Sequence, residues 1–255
     1  MKIDNPLNIV VPMAGRGSRF SSAGYVDPKP LIRFGGKAMI EWVIENIRPS
    51  TPHRFIFICL AEHIKSDPRV EQLLRRACPG CEILLVSEVT QGAACTVLLA
   101  KDLINSDNPL MIANADQYVE IKIDDYLSTL DQNNATGLIM TFWSNDPKWS
   151  YCKLNSDGLV QEVVVKEVVS NDATVGIYNF AGGRDFVRCA ETMIDKNLRV
   201  NGEFYVAPVY NQIIAEGCKV VVKSVGKEYA GMHGLGTPKD LDLFLSSSCY
   251  ESLLK

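Results

Sequence analysis

The alternation of short apolar runs with amphipathic stretches through the first half of this chain most constrains its fold. Strands fit residues 7–12, 54–60, 82–86 and 109–114, and helical periodicity fits 38–48, 68–77, 92–105 and 123–132. Parallel strands need long crossovers, which are usually helical, so this alternation predicts a parallel sheet covered by helices. In the first of these helical stretches, Met39, Trp42, Val43 and Ile47 share one face and Pro49 closes it. After about residue 135 the texture changes to short extended segments at 137–142, 151–154, 159–165 and 174–180, with Asn155-Ser-Asp-Gly158 as a hairpin turn. Helices return at about 183–196 and 205–216, a strand follows at 218–225, and a last helix begins near Pro238. No Pro/Gly/Ser-rich linker or internal repeat interrupts the 255 residues. One α/β domain is therefore expected, with a change of texture near residue 135 that separates a first half, 1–135, from a second, 136–255.

The first strand-like run, Ile9-Val10-Val11, breaks into Met13-Ala-Gly-Arg-Gly-Ser-Arg19, and Pro28-Lys29-Pro30 follows. Gly15 and Gly17 let the chain turn and bring its N–H groups close to a ligand that a Cβ would hold off. Successive inward-pointing amides make an anion cradle. Arg16, Arg19, Lys29, Arg33 and Lys37 crowd this region against the single acid Asp27, in a chain of net charge −4. The expected guest is small and highly anionic, and a nucleoside triphosphate fits.

Composition narrows the alternatives. Mild net acidity argues against sequence-independent nucleic-acid binding, which needs a basic face. No apolar run approaches the roughly 20 residues of a membrane span, and Met1–Pro6 carry no signal-peptide core. The eight cysteines are scattered, so free thiols in a reducing cytoplasm are expected. Cys78-Pro-Gly-Cys81 falls after a helix and before a strand, without the helix N-terminus that supports redox chemistry, and reads as a turn.

Two common phosphate motifs fail here. Phe20 stands where a dinucleotide fingerprint needs its third glycine, and Ala38 follows Gly36-Lys37 where a P-loop needs a hydroxyl. What remains is Gly15-Arg-Gly-Ser-Arg19, then Asp27-Pro-Lys-Pro-Leu31, then Gly36-Lys-Ala-Met-Ile40. In these motifs and their spacing the chain resembles the sugar-phosphate nucleotidylyltransferases (nucleoside-diphosphate-sugar pyrophosphorylases). The resemblance implies a Rossmann-like three-layer α/β fold with a mixed, mostly parallel central sheet. It also implies transfer of a nucleoside monophosphate from an NTP to a sugar 1-phosphate or similar small phosphorylated acceptor, supplying activated sugar for surface polysaccharide or related glycans. A homo-oligomer is plausible on the same ground.

The resemblance assigns nucleotide binding to Ala14, Gly15, Arg16, Gly17 and Ser18, and catalytic charge stabilisation to Arg19 and Lys29. Gln91-Gly92 is similar to the family segment that faces the base; a plain helix N-terminus is the alternative. Asp116 follows an apolar strand, and a carboxylate facing a triphosphate loop calls for an intervening cation. Mg²⁺, which takes hard oxygen ligands, suits it, and the matching family position is the metal-binding aspartate. Lys166 corresponds to the lysine that holds the acceptor's phosphate, although Val165-Lys166-Glu167 replaces the family's Glu-Lys-Pro; a solvent-facing strand lysine is the alternative. Glu203, in Asn201-Gly-Glu-Phe204, matches an acceptor-pocket glutamate, or begins the next helix.

One departure stands out. Where the family carries Asp-x-Gly-Thr-Pro, this chain has Gly234-Leu-Gly-Thr-Pro238, so the second metal carboxylate is missing. His233 is adjacent, but extended neighbours point to opposite sides, which favours water and phosphate oxygens in its stead. Two other readings compete: a nucleotide-sugar-dependent glycosyltransferase, which would want Asp-x-Asp where Asn114-Ala115-Asp116 stands, and an inactive nucleotide- or sugar-phosphate-sensing subunit.

Overall fold

Leu7–Met13 forms the first strand, β1, because its alternate side chains can be buried on both faces of a sheet: Leu7, Ile9 and Val11 enter one apolar cluster and Val10 the other. A computed structural model describes residues 5–254; the signal-peptide reading of Met1–Pro6 falls in part on residues 1–4, outside them. In chain order the remaining strands are β2 (Arg33–Phe34), β3 (Lys37–Ala38), β4 (His53–Leu60), β5 (Glu82–Val86), β6 (Leu110–Ala113), β7 (Gln117–Val119), β8 (Gly137–Trp143), β9 (Ser150–Leu154), β10 (Val160–Val165), β11 (Asp172–Phe180), β12 (Val220–Glu228) and β13 (Gly231–Gly234). The helices are α1 (Ser18–Ser22), α2 (Met39–Ile47), α3 (Ala61–Ser66), α4 (Arg69–Ala77), α5 (Ala93–Leu98), α6 (Lys101–Ile104), α7 (Ile123–Gln132), α8 (Gly183–Asp195), α9 (Tyr210–Ala215), α10 (Pro238–Leu245) and α11 (Ser248–Leu253).

The main sheet runs β5-β4-β1-β6-β11-β8-β12-β13-β7. It is parallel from β5 through β6, antiparallel on both sides of β11, and parallel again from β8 to β13. The β9–β10 hairpin hangs from β11, and Asn155 Oδ1 accepts from the amides of Asp157 and Leu159 to close its turn. One apolar cluster packs α2, α4, α7 and α10 on one face of the sheet, and a second packs α5, α6, α8 and α9 on the other. This is the three-layer α/β arrangement expected.

The differences from the sequence reading are local. Residues 92–105 form two short helices, because the amides of Leu99 and Ala100 tighten onto Thr96 and Val97 and end the first. Residues 205–216 start later, with Ala207–Val209 as a 3₁₀ turn around Pro208. Strands β7 and β13, too short to register as apolar runs, pair with each other. Gly35 and Gly36, both at positive φ, turn β2 into β3. All eight cysteines are free, and Cys78–Cys81 is a turn closed by the Cys81 amide on the Cys78 carbonyl. No helix among the described residues is long and apolar enough to cross a membrane.

Candidate active site

Strands β1, β4 and β6 run in parallel, so their C-terminal ends share one edge of the sheet. A cavity of about 560 Å³ opens at that edge. Its walls come from Met13 at the end of β1 and Gly15–Phe20 beyond it, from Asp27–Pro30, from His63 and Ser66 beyond β4, from Asn114–Asp116 after β6, and from Gly236.

Of the residues expected at the nucleotide site, Gly15, Arg16, Gly17, Ser18, Arg19, Lys29 and Asp116 all line this cavity. Gly17 lies at φ +64, where only glycine is at ease, and caps α1, so the loop turns back over the strand end. Phe20 is buried against Tyr25 in an edge-on contact and pins α1 to the body of the protein. Ala14 is buried, 5% exposed, and supports the loop from below without lining the cavity.

Arg16 and Arg19 are exposed and form no ion pair with any described residue. Lys29 is held differently. Its Nζ donates to Asp116 Oδ2 at 2.6 Å and sits 5.9 Å from the centre of the Phe20 ring. Asp27, the only acid sequence reading found nearby, is drawn aside by Arg69 at 2.8 Å. The cavity thus presents two guanidinium groups that no described residue pairs, together with a lysine–carboxylate pair.

Asp116 is fixed by its backbone: its carbonyl accepts from the Leu235 amide at 2.7 Å, which ties the end of β6 to the loop after β13. Gly236 faces its carboxylate; a Cβ there would stand 3.2 Å from Asp116 Oδ2. The bare glycine keeps open the space over an oxygen donor, and that fits a hard divalent cation. Gly234 lies beside Asp240, whose Cγ is 3.6 Å from where a Gly234 Cβ would be. Asp240 itself is engaged by Thr237 and Tyr229. His233 turns the other way, with Nε2 on Glu120 Oε1 at 2.7 Å, as strand alternation predicts.

Sequence reasoning missed Gly176. It sits at φ +100 in a bulge of β11, and a Cβ there would strike Asn114 Nδ2 at 2.2 Å and Gln117 Oε1 at 2.7 Å. Its carbonyl takes the Asn114 amide. The bulge makes room for the two side chains that flank the Asp116 turn. A glycine inside a β-branched run (Thr174-Val-Gly-Ile) was the available signal.

The remaining expected residues gather in a second group. Gly92, at φ +136, is pressed against Phe204: a Cβ would meet the Phe204 oxygen at 2.4 Å and nitrogen at 2.6 Å. Two backbone hydrogen bonds complete the stitch, Phe204 N to Gln91 O and Ala94 N to Phe204 O. The Gln91 side chain is exposed and accepts from Arg199, whose guanidinium lies 4.0 Å above the Phe204 ring. Asn201 and Gly202, both at positive φ, form a tight turn that joins Val200 to Glu203. Glu203 is exposed just before this stitch and precedes the next helical turn. Lys166 follows β10 at φ +58, an unusual conformation for lysine, with Nζ 5.6 Å from the Tyr205 ring centre. Gln91, Gly92, Glu203 and Lys166 are thus brought into one neighbourhood around residues 199–205, and none of them lines the phosphate-side cavity.

Comparison with known proteins agrees with this architecture. Residues 9–193 match the family model described as nucleotidyl transferase. A bifunctional protein GlmU from Thermotoga sp. (strain RQ2) is 26% identical over 258 residues, covering 98% of this chain and 54% of that protein. The GlmU of Methanococcus maripaludis (strain C5) is 26% identical over 181 residues, covering 68% and 39%. The chain spans from about four-tenths to about half the length of these relatives. Among solved structures, a nucleoside-diphosphate-sugar pyrophosphorylase from Vibrio cholerae RC9 superposes with a TM-score of 0.76 at 23% identity, covering 93% of this chain and 99% of that one. With a family model that matches residues 9–193 and the same fold in that structure, the chain belongs to the nucleotidyl transferase family.

Proposed function

We propose that this chain transfers a nucleoside monophosphate from an NTP to a sugar 1-phosphate or similar small phosphorylated acceptor, releasing pyrophosphate, with Mg²⁺ required. The observation that carries this reading is the cavity that gathers Gly15–Arg19, Lys29 and Asp116 at the shared end of β1 and β6. In this reading residues 1–135 form the nucleotide side, Gly236 being the one cavity residue from beyond them, and residues 136–255 supply the acceptor side through Lys166 and Glu203.

An oxygen of the acceptor's phosphate attacks the α-phosphorus in line; the new O–P bond forms as the bond to the bridging oxygen breaks, and pyrophosphate leaves with that oxygen. No protein nucleophile or base is required, because the acceptor phosphate is already an anion at pH 7. The obstacles are repulsion between two anions and the charge that grows on the leaving group, so catalysis is positioning and electrostatic stabilisation. Amides of the Gly15–Ser18 loop cradle the β- and γ-phosphates. Arg19 offers pyrophosphate a planar fork. Lys29 is withdrawn from Asp116 to the α-phosphate, and Lys166 holds the attacking phosphate. Asp116 would hold Mg²⁺, which supplies charge neutralisation to the triphosphate when bound.

The product's role, an activated sugar for surface polysaccharide or related glycan synthesis in the cytoplasm, is part of the same proposal. The test is pyrophosphate release with Mg²⁺ across the common NTPs and a panel of sugar 1-phosphates and other phosphorylated acceptors. Release that demands one NTP and one acceptor establishes the reaction and names both. Tight NTP binding without release across the panel would favour a sensing subunit.

A further inference from the structure

One wall of the phosphate-side cavity has no part yet in the reaction. His63 and Ser66 line it together with the Gly15–Arg19 loop, Asp27 and Lys29. Both belong to α3, which leaves β4 directly, so they stand at the same strand-end edge as the loop after β1. The His63 backbone is fixed: its carbonyl accepts from the Ser66 hydroxyl and from the Asp67 amide, each at 3.0 Å. Arg69 then bridges Asp67, at 2.6 Å, to Asp27 on the cavity wall, at 2.8 Å. Asp27, the acid on this side, is therefore already neutralised by a guanidinium. The His63 ring, by contrast, is half-buried and makes no hydrogen bond, ion pair or ring contact with any described residue. Ser66 directs its proton to the His63 carbonyl and can otherwise only accept. Of the two side chains, the imidazole is the one ready to meet an anion.

The order of the strands gives that ring a task. β4 and β6 flank β1, so two strand spacings, about 10 Å, separate the end of β4 from the end of β6, where Asp116 stands. On the far side of β6 lies β11, from which the β9–β10 hairpin hangs, with Lys166 just beyond its second strand. An acceptor that enters from that side and attacks the α-phosphorus in line drives pyrophosphate the opposite way, across β1 toward β4. The outermost phosphate then comes to lie against the wall that carries His63. We propose that His63 is the ligand of the terminal phosphate: a ring N–H donates to the γ-phosphate of the bound NTP and keeps that contact as pyrophosphate leaves. The proposal rests on the reading of this cavity as an NTP site. Loop amides and Arg19 meet any chain of phosphates, whereas a diphosphate, one phosphate shorter, does not reach the β4 end. His63 therefore favours NTP over NDP.

The test is equilibrium binding to the full chain by calorimetry, with Mg²⁺ and no acceptor. ATP, CTP, GTP, UTP and TTP are titrated first. The tightest is then compared with its own diphosphate and with inorganic pyrophosphate, in the wild type, His63→Ala and His63→Gln. A hydrogen bond to a charged group accounts for roughly 10–100-fold in affinity, so His63→Ala should weaken NTP and pyrophosphate about tenfold or more and the NDP less than about twofold. His63→Gln, which keeps an N–H, should recover part of the loss. If His63→Ala does not fold, the wild type decides through its three histidines: pyrophosphate should shift the His63 ring-proton signals in an NMR spectrum and leave those of His53 and His233 in place. Equal losses for NTP and NDP, a folded His63→Ala protein that binds NTP as tightly as the wild type, or an unmoved His63 signal would each overturn the proposal and leave the NTP site standing. A wild type that binds no NTP would remove that site, and this role with it.

Discussion

The phosphate edge and the rim around residues 199–205 are built in opposite ways. At the edge, three parallel strand ends set the positions, the backbone does most of the holding, and Arg16 and Arg19 have no ion-pair partner among the described residues. At the rim, loops from distant parts of the chain are stitched together and the polar side chains already have occupants: Gln91 with Arg199, Lys166 beside Tyr205. Free cations on a fixed frame suit the part of the reaction common to every NTP. A loop assembly whose contacts must be exchanged suits choice between ligands.

That contrast is breakable, and the largest effects should fall at the edge. Lys29→Ala and Arg19→Ala should each lower turnover about 10²–10³-fold, roughly 3–4 kcal/mol, measured as pyrophosphate release. Unchanged turnover in a folded Lys29→Ala protein would remove the edge from the mechanism. Next is Gly92→Ala, which forces a Cβ into the Phe204 backbone at a φ that side chains avoid. It should cost about 2–3 kcal/mol and lower the melting midpoint by roughly 4–12 °C in a thermal scan. A smaller loss would mean that the stitch yields, and the rim would be softer than described. Lys166→Ala should raise the acceptor's KM about tenfold, about 1.4 kcal/mol, with the NTP's KM unmoved. Gln91→Ala should be the mildest, changing NTP affinity by less than about threefold, because its side chain is already turned to Arg199. A larger and base-selective effect would show that the side chain, and not the Gly92 backbone, reads the base.

The same contrast governs what could be read from sequence. The edge follows from local signals: a β-branched run, two glycines, a Pro-Lys-Pro, and an aspartate after an apolar strand each act close to where they stand. Their convergence then follows from parallel strand direction. The rim does not. Arg199 holds Gln91 across 108 positions, and the Gly92–Phe204 contact joins segments with no shared periodicity. Strands β7 and β13 were invisible for the same reason: short runs gain their stability from pairing with each other, not from propensity. Even the helix expected over 92–105 failed where two amides tightened a turn, a detail no hydrophobic period encodes.

The seat of α11 carries a consequence for how the molecule comes into being. Tyr250 packs against Phe34 and Trp42, and its hydroxyl lies 2.8 Å from where a Cβ on Gly35 would be. An aromatic cluster begun by residues 34–42 is therefore finished by a residue made some two hundred positions later. During synthesis that apolar surface has no native cover until almost everything described here has left the ribosome. Completion of this cluster waits on residues near 250, and until they arrive Phe34 and Trp42 lack that part of their native cover. The proposed nucleotide and acceptor halves would divide the chemistry between them, but they do not divide the labour of folding.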